Sequence, residues 1–233
     1  RSHCDWSSDV CSSDLASCVI ARITHLIYVS SHTVYGAQSD NPIPIADDAA
    51  MRASPNFPYA HYKLQSEIAL EEFARAQEDV KVTVLRSCTV LGHGADNLET
   101  QAFFRPWLFG VMDYNPPLQF VYDSDLARVM SIIIQREIPG TFNVAGDGIV
   151  RYHEIVKILK SRFINLPPFM VYPLTRLLWW LRLQREMTST GLDQVRWPIL
   201  MSTSKLHKAT GYRFWHTALD ALKIGRASCR ERV

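Results

Sequence analysis

Residues 25–36 read His-Leu-Ile-Tyr-Val-Ser-Ser-His-Thr-Val-Tyr-Gly. The run from His25 to Ser30 is short and apolar, and it predicts a strand covered on both faces, as in a parallel sheet. Val34-Tyr-Gly36 and the Pro- and Asp-containing stretch from Ser39 to Pro58 predict a long loop. From Tyr59 to about Gln77, apolar residues (Tyr62, Ile68, Leu70, Phe73, Ala74) recur at helical spacing, which predicts a helix. Val80 to Leu85 reads as the next strand, broken by Gly92-His-Gly94. Residues near Glu99 to Gly110 are expected to be helical and Leu118 to Val121 a strand. A helix from about Asp123 to Gln135, a strand at Gly140–Val144 and a helix from Tyr152 to Arg162 should follow. Strands alternating with helices of this length imply an α/β fold, a parallel sheet covered on both faces.

The two ends read differently. Residues 5–15, Asp-Trp-Ser-Ser-Asp-Val-Cys-Ser-Ser-Asp-Leu, read as the in-frame translation of a sequencing-library adaptor, and residues 224–233 read as the opposite adaptor. We therefore expect residues 1–15 and 224–233 to be adaptor-derived, with the native chain continuing beyond both, and leave them out of the fold prediction. Of the five cysteines, Cys4, Cys11 and Cys229 fall in these ends. The remaining Cys18 and Cys88 have neither metal-site spacing nor a disulfide framework, so no metal is expected and a reducing, cytoplasmic setting is. The net charge of +2 gives no electrostatic footprint for nucleic acid. The apolar segment from Leu166 to Leu183, with Trp179 and Trp180, is interrupted by Pro167, Pro168 and Pro173 and charged by Arg176 and Arg182. A membrane span wants roughly 20 uninterrupted apolar residues, so the segment reads as a substrate-side lid, with interfacial membrane contact the weaker alternative.

Three stretches carry the chemistry. Val29 to Gly36 runs from a strand into a loop. Tyr59-Ala-His-Tyr-Lys63-Leu-Gln-Ser-Glu67 opens the long helix. Leu85-Arg-Ser-Cys-Thr-Val-Leu-Gly92 closes the next strand. A spacing of four on a helix puts Tyr59 and Lys63 on one face, a turn apart. A free phenol has a pKa near 10. An adjacent ammonium stabilises the phenolate, so the tyrosine can exchange a proton near neutral pH. A hydroxyl from the strand end can hold the same substrate oxygen. Both lie at the carboxyl edge of the strands, where open α/β sheets bind ligands.

This ordered set resembles the extended short-chain dehydrogenase/reductases, specifically the NAD-dependent epimerase/dehydratase family, over roughly residues 16 to 222. Gln119-Phe-Val-Tyr-Asp-Ser-Asp-Leu-Ala127, Gly140-Thr-Phe-Asn-Val-Ala-Gly146 and Ser204-Lys-Leu-His-Lys-Ala-Thr-Gly-Tyr212 resemble later family segments. The resemblance implies a partial Rossmann-like, doubly wound sheet lacking its first βαβ units. Residues 16–165 would be the rest of the dinucleotide-binding domain, with interleaved substrate segments, and 166–223 a small C-terminal substrate or lid region. It implies Ser31 as the catalytic hydroxyl, Tyr59 as the general acid/base, and Lys63 as the residue that tunes Tyr59 and bonds the nicotinamide ribose. Ser30, Ser87 and Cys88 would also lie at the cofactor, and His32, Asn97 and Arg196 at the substrate. The cofactor would be NAD or NADP. The glycine-rich phosphate turn that binds its pyrophosphate does not occur in this sequence, so the fragment alone is expected to be inactive. The full-length protein could form a homodimer.

The acidic pair that sugar-nucleotide dehydratases of this family carry after the catalytic hydroxyl is replaced by His32 and Thr33, which supply no carboxylate couple. That argues against dehydration and leaves epimerisation or carbonyl reduction, with a nucleotide-sugar 4-epimerase-like enzyme as the first reading. Two alternatives stay open: a reductase or dehydrogenase of an apolar carbonyl or hydroxysteroid-like substrate, and a non-catalytic dinucleotide-sensing protein. His32 could face the cleft or simply pack. His61 reads as a packing residue, and Cys88 as a small buried hydrophobe rather than a reactive thiol. A basic side chain placed for a diphosphate, with Arg196 the candidate, would favour sugar nucleotides over an apolar ligand.

Overall fold

A strand as apolar as His25–Ser30 needs cover on both faces, and the chain provides it. The computed structural model describes residues 12–93, 103–104, 106–167, 169–170, 173 and 193–231. In chain order it forms α1 (Ser12–Ile20), β1 (His25–Ser31), a 3-10 helix (His32–Tyr35), α2 (Pro58–Ala76), β2 (Lys81–Ser87), β3 (Thr89–Leu91) and β4 (Trp107–Val111). There follow β5 (Pro117–Leu118), β6 (Phe120–Tyr122), α3 (Asp123–Arg136), β7 (Gly140–Val144), β8 (Val150–Arg151), α4 (Tyr152–Leu159) and β9 (Arg162–Leu166). Beyond these lie α5 (Asp193–Arg196), α6 (Ser204–Thr210) and α7 (Ala218–Glu231).

The strands β1, β2 and β7 form a parallel sheet in the order β1-β2-β7. Side chains alternate between its faces. On one face Tyr28 and Val84 meet Leu70 of α2. On the other, Leu85, Phe142 and Val144 pack with Val129 and Ile133 of α3. Helices thus cover both faces, as the alternation predicted, in the doubly wound arrangement that the resemblance implied. Pro58 opens α2 in its first turn, where its fixed φ is already helical and its missing N–H costs nothing.

Several boundaries differ from expectation. Residues 107–111 form a strand, not the end of a helix. Gly110 is crowded by the Phe163 ring and Leu108 faces the core, so β4 pairs in parallel with β9. The helix from Tyr152 stops at Leu159, because Lys160 turns left-handed at φ 55° and Arg162 enters β9. The single strand expected over Leu118–Val121 is two. The Gln119 side chain bonds the backbone N–H and carbonyl of Met201, which separates β5, antiparallel to β8, from β6, parallel to β3. Helix α1 starts at Ser12 and α7 continues past Ile224 to Glu231. Most of the 166–183 stretch, with Trp179 and Trp180, lies outside the described residues, as does Asn97. No described helix is long and apolar enough to cross a membrane.

Two features tie remote segments to the sheet. Ile45, in the loop before α2, bridges Met201; its N–H donates to Leu200 O at 2.7 Å and its carbonyl accepts from Ser202 N at 2.8 Å. Asp125 of α3 is fully buried and accepts from Tyr212 Oη at 2.5 Å and from the backbone N–H groups of Trp215 and His216 at 3.1 Å each. Nδ1 of His216 lies 2.9 Å from its other oxygen, and Arg128 Nη1 is 3.6 Å away.

Gly36 ends the 3-10 helix at φ 71° and ψ 142°, a conformation closed to other residues, and a Cβ there would run into the Arg52 carbonyl oxygen. Gly36→Ala is expected to cost about 1–3 kcal/mol from the backbone strain alone. The reading is the denaturant midpoint of the full-length protein, with the slope unchanged.

Candidate active site

A helix that returns from one parallel strand to the next begins at the carboxyl edge of the sheet. The first turns of α2 therefore bring Tyr59 and Lys63 beside the end of β1. Lys63 is only 9% exposed, and its ammonium donates to the Val29 carbonyl at 3.3 Å. It lies 5.1 Å from the centroid of the Tyr28 ring and 5.8 Å from that of Tyr59. A cation at such distances is attracted to the aromatic faces and held among them. Tyr59 itself is half-buried.

Ser31, the last residue of β1, is buried. Its hydroxyl oxygen accepts from Thr33 N at 3.2 Å and from Thr33 Oγ1 at 3.0 Å, capping the 3-10 helix. His32 Nδ1 lies 3.5 Å from the same oxygen and 3.3 Å from the Ser87 carbonyl. A carbonyl only accepts, so that contact requires the hydrogen on Nδ1. His32 thus bridges the ends of β1 and β2. Ser87 and Cys88 are buried beside it; the Ser87 hydroxyl donates to Cys88 O at 2.8 Å, and Cys88 N donates to Val144 O at 2.9 Å.

Beneath this edge lies a polar network that the motif reading did not assign. Strand register places Ser30, Arg86 and Asn143 in one row across β1, β2 and β7. Arg86 (4% exposed) grips the Glu67 carboxylate (2% exposed), with Nε at 3.2 and 2.9 Å from its oxygens and Nη2 at 2.7 Å. Nη1 of Arg86 donates to Tyr35 Oη and to the Asp47 carbonyl, both at 2.9 Å. The Ser30 hydroxyl donates to Glu67 Oε1, so Ser30 turns into this network. Tyr35 donates to Asn143 Oδ1 at 2.7 Å, and the Asp47 carboxylate accepts from Asn143 N. Burial disfavours the Arg86 charge, but the Glu67 bonds outweigh that, and its pKa stands above the usual guanidinium value. Burial likewise pushes the Tyr35 phenol up, against the pull of Arg86. A charged pair on the inner face of α2 and in a buried strand was the available signal; its pairing was not.

A cavity of about 190 Å³ opens at the start of α2, lined by Thr33, Gly36, Gln38, Ser54, Phe57 and Trp197, with Asp193 on its wall. It is smaller than a whole ligand cleft of about 300–1,000 Å³ and offers room for part of a ligand. The guanidinium of Arg196 lies against both the Tyr114 and Trp197 rings, at 4.8 and 4.7 Å from their centroids, with Trp197 part of this wall. Among the described residues no cluster of His, Cys, Asp or Glu could hold a metal ion. The Tyr59 phenol, the Lys63 ammonium and the Ser31 hydroxyl fit by their chemistry the ribose and carboxamide end of a nicotinamide dinucleotide.

Comparison with known proteins places this arrangement. An uncharacterized protein of Mycobacterium tuberculosis is 21% identical over 202 residues, 85% of this chain and 53% of its own length, so the chain spans about half of the curated relatives it matches. The solved structure of MoeE5 in complex with UDP-glucose and NAD superposes with a TM-score of 0.70 at 18% identity, covering 94% of this chain and 69% of that one. The UDP-glucose 4-epimerase of Thermus thermophilus, solved with NAD, gives 0.69 at 17% identity, covering 94% and 68%. At such identities the likeness shows the fold. Residues 14–145, more than half the chain, match the family model directly, and the chain belongs to the NAD dependent epimerase/dehydratase family.

Proposed function

We propose that the full-length protein is an NAD(P)-dependent epimerase acting on a nucleotide sugar, with Tyr59, Lys63 and Ser31 as its proton relay. The observation that supports it most is the buried Lys63 ammonium, held by the Val29 carbonyl within 5.8 Å of the Tyr59 ring, beside the strand that ends in Ser31. Lys63 favours the Tyr59 phenolate, so Tyr59 can take the proton of a substrate hydroxyl and later return it. Ser31 donates to that same substrate oxygen once Thr33 has satisfied its acceptor side. Lys63 and the strand end around Ser87 would hold the dinucleotide, which when bound supplies hydride acceptance and return.

His32 and Thr33 offer no carboxylate couple for removing water, which favours inversion over dehydration. The hydroxyl and amide groups of Thr33, Gln38 and Ser54 in the cavity suit a hydroxylated ring better than an apolar one.

The test is incubation of the full-length protein with NAD, or in parallel NADP, and either UDP-glucose or UDP-galactose. Proton NMR should show both C4 epimers appearing from either one, without net accumulation of reduced dinucleotide. Reduced dinucleotide formed in step with sugar loss would make it a dehydrogenase. Turnover of apolar ketones alone would end the nucleotide-sugar reading.

A further inference from the structure

Tyr59, Lys63 and Glu67 follow one another at four-residue spacing, so they share one stripe of α2. The first two serve the proposed relay. The third is buried and bonds both Arg86 and Ser30. Ser30 immediately precedes Ser31. The contact between Glu67 and Ser30 is therefore one residue from the relay on the strand and one helical turn from it on the helix. Arg86 then extends the hold in two directions. Through Tyr35 it reaches the 3-10 helix that follows Ser31, and through the Asp47 carbonyl it reaches the loop leading to α2.

We propose that Arg86 and Glu67 are positioning residues for the reaction: their pair fixes the end of β1 against α2, and so fixes Ser31 relative to Tyr59 and Lys63. This rests on the relay reading of the site. The choice of residue types follows from the task. A buried ion pair is weak evidence for stability, since apolar side chains of similar volume often replace one without loss. What apolar packing lacks is direction. The guanidinium fork has fixed donor geometry and can hold a carboxylate, a phenol and a carbonyl at once. Here those acceptors come from α2, the 3-10 helix and the loop, the three segments that surround the relay. A shift of about 1 Å at a reacting centre can cost about 10²-fold in rate, so even a small loosening of this pair should be visible.

The test uses Arg86→Lys in the full-length protein, which keeps the charge and loses the fork, and Ser30→Ala as a milder variant that cuts the link to β1 while leaving the ion pair. Two readings are taken. The first is the pH titration of the Tyr59 phenol, as tyrosinate absorbance of each protein minus its Tyr59→Phe counterpart, without added dinucleotide. Lys63, whose ammonium lies 5.8 Å from the centroid of the Tyr59 ring, is retained in both variants. Loosening the pair moves Lys63 relative to Tyr59, so the phenol should titrate at a different pH in Arg86→Lys, and to a smaller extent in Ser30→Ala. An unchanged titration in both folded variants overturns the proposal.

The second reading is a double-mutant cycle on turnover. Arg86→Lys alone should lower kcat by about 10²-fold, with KM within about threefold of wild type. Combined with Tyr59→Phe it should add almost nothing, because it acts through that tyrosine. Additive losses would overturn the positioning role and leave Arg86 a stability residue. Wild-type turnover in Tyr59→Phe would sink the relay reading instead, and the phenol titration then decides the positioning question alone. If Arg86→Lys fails to fold, Ser30→Ala carries both readings.

Discussion

Tyr59→Phe is expected to lower turnover of the full-length protein by about 10²–10⁴-fold, the usual worth of a general acid/base. The substitution removes one oxygen from a half-buried side chain in the first turns of α2. The ring that the Lys63 ammonium faces is kept, and so are the Lys63 bond to the Val29 carbonyl and the buried pair of Arg86 and Glu67. Folding should be preserved, as read by an unchanged denaturant midpoint. The loss should fall on kcat with little change in KM, because the proton is moved in the transition state and not in binding. A variant that keeps more than about a tenth of wild-type kcat would be outside the range for a proton-transferring group and would remove Tyr59 from the mechanism.

Asp125→Asn should produce a large loss of stability for a conservative change. The carboxylate is fully buried and accepts from the Tyr212 hydroxyl and from the backbone N–H groups of Trp215 and His216, with His216 Nδ1 and Arg128 alongside. An asparagine keeps one oxygen and places an NH2 group where the other accepted, so buried donors lose partners at about 1–3 kcal/mol each. We expect a total of roughly 2–4 kcal/mol at pH 7, measured by urea or guanidinium unfolding. The effect should depend on pH in a defined direction. Burial opposes ionisation of Asp125 most strongly, but the bonds from Tyr212, His216 and the two backbone donors outweigh it and hold its pKa below the usual carboxylate value. A depressed folded pKa means stability that is fully present above the unfolded pKa, about 4, and is lost as pH falls through the folded one. The gap between wild type and Asp125→Asn should therefore be constant from pH 7 to about 5 and narrow below about 4. A gap that widens on acidification would contradict this account.

How far the sequence could be read differs from element to element. The strand at His25–Ser31 and the helix from Tyr59 were legible because their signals are local: an apolar run and a helical period. The same period puts Tyr59 and Lys63 on one face. The segment at 107–111 was misread, because its strand state comes from pairing with β9, more than fifty residues later, and from the Phe163 ring against Gly110. The break at Gln119 was equally out of reach, since its side chain bonds the backbone of Met201.

The candidate site divides in the same way. Tyr59 and Lys63 could be paired from residue type and spacing, and Ser31 was singled out by the family resemblance. Arg86 and Glu67 could be noticed as charges in buried runs, but nothing in the order of residues says that they meet, or that Ser30 joins them. The cavity wall draws on segments around Thr33, Ser54 and Trp197, far apart along the chain.

By itself, the order of residues determined the alternation of strand and helix, and with it the sheet edge at which a phenol, an ammonium and a hydroxyl would gather. Those features depend on dihedral preference and period, which act within a few residues. The tertiary structure alone decided which buried charges pair, which carboxylate holds the 212–216 segment, and which side chains line the cavity. Each of these depends on strand register and on packing between distant segments, and a directional hydrogen bond exists only once both partners have been brought within about 3 Å.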